Sequence, residues 1–125
     1  MTNPDDKTLQ FVGASFPSIW ALELLLTLKH DRAPATRVQL VETLRASGLV
    51  VAKAIDALVA AGLASVEGDT VQYLPVNREI EAAVERVELL YRSRPNAVRR
   101  AIVASSMRNA TAFADAFKLR RDTDD

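Results

Sequence analysis

The spacing of apolar side chains predicts five helices and one β-hairpin. Apolar positions are sparse over MTNPDDKTLQ and gather only at Leu9, Phe11 and Val12, so residues 1–10 read as a flexible tail. Residues 17–30 read as the first helix. Pro17 fits a first turn, where its missing N–H costs nothing, and SIWALELLLTLKH supplies strong helix formers. Ile19, Trp20, Ala21, Leu22, Leu24, Leu25, Leu26 and Leu28 cannot share one stripe about 100° wide. This helix must therefore be covered on more than one side, as a central core element or, in the alternative, at a subunit interface.

HDRAPA (30–35) reads as a loop, and Thr36 with Gln39 has the spacing of a capping box, so the second helix begins at 36. Leu40, Val41 and Leu44 form its inner face, Arg37, Glu42 and Arg45 its outer one, and it ends near Ser47-Gly48. The third helix runs from 49 to 61, with Val51, Ile55 and Leu58 on the core side, and stops at Gly62. Residues 63–66 and 70–74 are β-prone and joined through Gly68, which suits a tight primed turn. Asn77 is a good N-cap for a fourth helix over 77–92, carrying Ile80, Ala83, Val84, Val87, Leu90 and Tyr91 on one face. Pro95 opens a fifth, with Val98, Ala101 and Ile102 first and Ala112, Phe113, Ala116 and Phe117 later. The weak helix formers in SSMRN predict a break between Ser105 and Asn109, and the terminal residues should fray.

The expected fold is mainly α with a small β-hairpin. Three helices followed by a hairpin is the order of a winged helix-turn-helix, here extended by C-terminal helices. The expected division is a tail (1–10), a winged-helix domain (11–76), a helical extension packed on it (77–119) and a frayed end (120–125). The stretch VAKAIDALVAAGL (51–63) with its polar-tipped hairpin resembles the recognition helix and wing of MarR-, PadR- and GntR-type bacterial regulators. FPSIWALELLL (16–26), YRSRPNAVRRAI (91–102) and FADAFKLRR (113–121) are similar to blocks in small bacterial winged-helix proteins of unassigned function. The resemblance implies a transcriptional regulator and carries over no catalytic or ligand-binding residue.

Composition agrees with one domain: 125 residues, 49% hydrophobic and 26% charged, the ordinary globular mix. The absence of cysteine removes disulfides, Cys-based zinc sites and thiol catalysis. With Glu23 interrupting its longest apolar run, the chain offers no stretch of roughly 20 apolar residues to span a bilayer. The polar, acidic first ten residues do not read as a secretory signal, and a cytoplasmic protein is expected.

The net charge of zero hides an asymmetry. Residues 1–76 carry six Lys/Arg against eight Asp/Glu (−2), residues 77–121 ten against five (+5), and the last four residues three acids (−3). For double-stranded DNA the candidate contacts on the second and third helices are Arg37, Arg45, Ser47, Val50 and Lys53, with Asp56 exposed beside them. A second basic group, Arg92, Arg94, Arg99 and Arg100, would join them if the fold brings the fifth helix alongside the third. Against DNA stand Glu67 and Asp69 at the hairpin tip, which carry the wrong sign for phosphates.

The bland alternative for the arginines is a solvated surface paired with Glu85 and Glu88. The functional alternative is an acidic protein partner, held by forked guanidinium–carboxylate bonds, in a module without sequence-specific DNA binding. A homodimer is expected through the first and fifth helices, with Trp20, Leu24, Phe113 and Phe117 as candidate contacts. His30, the single histidine, reads as a helix-end surface residue. The four glycines form no phosphate-cradling loop, and Ser105-Ser106 lack the strained turn of a hydrolase nucleophile. No enzyme, metal or cofactor is expected.

Overall fold

The computed structural model describes residues 4–122, and side chains through residue 108. The elements follow in the order α1 (Pro4–Ser15), α2 (Ile19–Asp31), β1 (Ala35–Thr36), α3 (Arg37–Leu44), α4 (Gly48–Ala60), β2 (Ala64–Glu67), β3 (Thr70–Tyr73), α5 (Arg78–Ser93) and α6 (Pro95–Asp122). The fold is mainly helical with one small antiparallel sheet.

Helix α2 lies at the centre. Ala21, Leu22, Leu24, Leu25 and Leu28 are all buried, which is the sandwiched environment its apolar circumference requires. On one side α2 packs against α4, α3 and β3; α1, α5 and α6 pack on one another and contribute Val12, Val84, Val87, Val98 and Ile102 to the same continuous core. Two long-range hydrogen bonds fix α2 against α5: Tyr91 Oη donates to Glu23 Oε1 at 2.6 Å, and Lys29 Nζ donates to Glu88 Oε1 at 2.9 Å.

Local chemistry sets the boundaries. Ser18 caps α2 by accepting from Ala21 N, and Asn77 caps α5 by accepting from Ile80 N. The capping box at α3 is complete: Thr36 Oγ1 accepts from Gln39 N, and Gln39 Oε1 accepts from Thr36 N. Gly68 takes the first corner of the hairpin at φ +62°, leaving Glu67 paired with Thr70.

Three expectations are corrected. Residues 4–10 are not a tail but most of α1, a helix with Pro4 at its start and Asp5 and Asp6 in its first turn, where carboxylates favour the helix dipole. Burial of Thr8 and Val12, and of Phe16 just beyond, holds α1 down. The break expected between Ser105 and Asn109 is absent, because α6 runs unbroken. Ser105 Oγ donates to the Gly13 carbonyl at 2.6 Å, so its hydroxyl ties α6 to α1 instead of competing for its own helix. Of the end segment expected from residue 120, residues 120–122 continue α6, and residues 123–125 lie outside the described residues.

The third strand, β1, was not readable from periodicity. Its two residues pair with β3, Ala35 with Val71 and Thr36 with Thr70, giving the order β1-β3-β2. Among the described residues no single helix is long and apolar enough to cross a membrane.

Gly62 separates two kinds of constraint. It sits at φ +75°, and a Cβ there would lie 3.1 Å from Val76 Cγ1, whereas Gly68 has open space around it. Gly62→Ala should cost roughly 2 kcal/mol and Gly68→Ala about 1 kcal/mol, the difference being the Val76 contact. Urea denaturation checks this, and adding Val76→Ala to Gly62→Ala should recover the excess; equal losses at the two glycines would rule the contact out.

Candidate nucleic-acid interface

Helices α3 and α4 pack together across a short turn. Arg37 opens α3 and is exposed. Arg45 is its C-cap in the left-handed region, φ +52°, a conformation that glycine or asparagine adopts more cheaply. Ser47 caps α4 by accepting from Val50 N at 3.2 Å, so its oxygen is already engaged. Val51, Ala54, Ile55 and Leu58 turn inward, Lys53 and Asp56 turn outward, and Val50 is half-buried.

The second basic group is elsewhere. The packing partners of α4 are α2, α3 and β2, and those of α6 are α1 and α5. Arg92, Arg94, Arg99 and Arg100 therefore do not extend the α3–α4 face, and three of them have intramolecular partners. Arg92 lies 3.6 Å from Glu88, and Arg94 lies 3.4 Å from Asp5. Arg99 stands over the Tyr91 ring, 5.8 Å from its centroid. The surface pairing expected for these arginines thus holds for Glu88 but runs to Asp5 instead of Glu85. Arg100 is exposed.

Glu88 is the hub of a small charge cluster. Its side chain is only 11% exposed, with Lys29 Nζ at 2.9 Å and His30 Nε2 at 2.7 Å from its two oxygens. The second is a close polar contact without hydrogen-bond alignment. The Lys29 bond holds the Glu88 carboxyl below the usual carboxylate range, although burial works against it. His30, at the end of α2, is thereby tied to α5. Nearby, the Tyr73 hydroxyl is buried without a hydrogen-bond partner. Burial, followed by the charges of Glu81, Glu85 and Glu88, pushes it up to about 12.

The expected dimer contacts divide. Leu24 is fully buried in the chain's own core and is unavailable to a partner. Trp20 is exposed, and Phe113 and Phe117 lie outside the residues whose side chains are described. Sequence reasoning missed the exposed aliphatic residues of α3 and α4: Val38 and Leu49 are 67% and 66% exposed, and Val59 is exposed too. The signal was present: Leu49 and Val59 fall off the Val51–Ile55–Leu58 stripe.

The described residues include no group of three potential metal-ligating acids or histidines. The chain matches no family model, no curated protein and no solved structure.

Arg45→Gly should stabilise the protein by about 0.5–1 kcal/mol by relieving the left-handed arginine, measurable as a rise in the urea midpoint; a loss of stability would mean that the side chain holds the turn. Glu88→Gln should cost about 1–3 kcal/mol at pH 7. Because the folded-state carboxyl titrates below its unfolded value, its contribution is present above the unfolded pKa and lost as pH falls through the folded one. The gap between wild type and Glu88→Gln should therefore close on acidification, and a gap constant with pH would remove the charge cluster as its source.

Proposed function

We propose that the chain is a cytoplasmic winged-helix DNA-binding transcriptional regulator with a binding and not a catalytic role. In this reading α4 enters the major groove, α3 crosses the backbone, and the β2–β3 hairpin is the wing. The supporting observation is the α3–α4 pair itself: both helix starts are capped, and Arg37 at the start of α3, Arg45 and Ser47 in the turn and Lys53 on α4 are all exposed. The β1–β3 pairing supports it further, since it ties the hairpin to the segment that leads into α3. Arg45 in a costly conformation fits a position retained for contact instead of stability.

A second reading draws on the same two helices. Val38, Leu49 and Val59 are exposed on them and the hairpin tip carries the acids Glu67 and Asp69, features suited to a protein partner. The separate Arg94–Arg100 region would then meet an acidic protein.

Fluorescence anisotropy against genomic fragments in low salt separates the two. On the DNA reading, three phosphate contacts from Arg37, Arg45 and Lys53 give a log–log salt slope of about −3. Lys53→Glu should weaken binding at least about tenfold and flatten the slope by about 1, whereas Arg100→Glu should change neither. Absence of binding at micromolar protein, or equal sensitivity to the two substitutions, would reject DNA recognition by α4.

A further inference from the structure

A groove of about 360 Å³ opens between the α1–α2 turn and α6, and no residue of α3 or α4 lines it among the described residues. Its walls are mainly apolar: Pro17 and Ile19 on one side, Ile102, Val103 and Met107 on the other, with Arg99 among them. Val103 and Met107 are 56% and 65% exposed, so the apolar character belongs to the accessible surface and not to the core. The volume falls within the range of small-molecule sites, which combine apolar walls with a few placed polar groups.

The charge inside is one-sided. Among the described residues Arg99 is the only cation lining the groove, and no carboxylate lines it. Among the described residues Arg99 forms no ion pair; its guanidinium rests over Tyr91, which donates to Glu23 on α2. The cation is thus held in place at the groove by Tyr91, with no acid at ion-pair distance among the described residues. The Ser106 hydroxyl lies on the same wall, and the first turn of α2, at Ser18 and Ile19, contributes the positive end of a helix dipole.

From this juxtaposition we infer that the groove binds a small amphiphilic carboxylate, a medium-chain or comparable monoacid. Its apolar body lies against Ile19, Ile102, Val103 and Met107, and its carboxylate meets the Arg99 guanidinium through charge-assisted hydrogen bonds. A neutral molecule of the same length gains the apolar contacts alone, and an amine is repelled. The site is independent of DNA recognition, because none of its residues belongs to α3, α4 or the hairpin.

Isothermal titration calorimetry of the full chain with octanoate, octanol and octylamine tests it, supported by emission of Trp20, the only tryptophan and the neighbour of Ile19. Octanoate should bind saturably at submillimolar concentration, hexanoate more weakly by up to about fourfold per methylene removed, and octylamine not at all. Arg99→Gln should weaken octanoate at least about tenfold and leave octanol unchanged, and Val103→Asp should abolish octanoate binding. Both positions are exposed, so both variants should fold, which circular dichroism verifies. No saturable octanoate binding, equal affinity for octanol, or indifference to Arg99→Gln would each overturn the assignment. So would a dimer, by light scattering, that Val103→Asp dissolves and octanoate leaves intact, since a second copy would then own the groove.

Discussion

A helix that is apolar around its whole circumference cannot rest against a single surface, and the architecture follows from supplying α2 with its covering. The α3–α4–sheet layer is built on one side of it, and α1, α5 and α6 complete the shared core. Hydrophobic burial is non-directional, so it explains that α2 is enclosed but not how it is rotated. The polar exceptions on α2 supply that direction. Glu23 reaches Tyr91 of α5, Lys29 and His30 reach Glu88, and an altered rotation of α2 would leave these polar groups without their partners.

This division explains which parts of the fold were legible. The centrality of α2, the capped starts of α3 and α5 and the Gly68 turn each depend on a few neighbouring residues, and neighbouring residues are what a sequence displays. The failures share another cause. Residues 4–10 fold as part of α1 because Thr8 and Val12, with Phe16, find cover that lies far away in the chain, and Ser105 stays helical because its hydroxyl finds Gly13. The strand β1 exists only through β3. Each error replaces a weak local preference with a tertiary contact whose partner is at least thirty positions distant.

The candidate site shows the same limit in its charges. Ten basic residues over 77–121 look like an interface along the chain, yet Arg92 and Arg94 face Glu88 and Asp5, and Arg99 rests on an aromatic ring. A run of charge in sequence becomes a patch in space only after its internal partners are subtracted. On α3 and α4 the arithmetic runs the other way: few cations are present, but Arg37, Arg45 and Lys53 are exposed and enter no ion pair among the described residues.

If α3 and α4 do engage DNA, that small number sets the character of the binding. Counterion release by about three cations provides modest, strongly salt-dependent affinity, well short of what six to ten phosphate contacts give. Discrimination would then have to come from base contacts around Lys53 and from apolar contact by Leu49 or Val50 with thymine methyl groups, the one base feature that an aliphatic side chain reads well. The exposed Leu49, which favours a protein partner when considered alone, is compatible with DNA in that role. The two readings therefore differ less in which residues they use than in whether cations contribute, and this is why salt dependence is more informative than affinity.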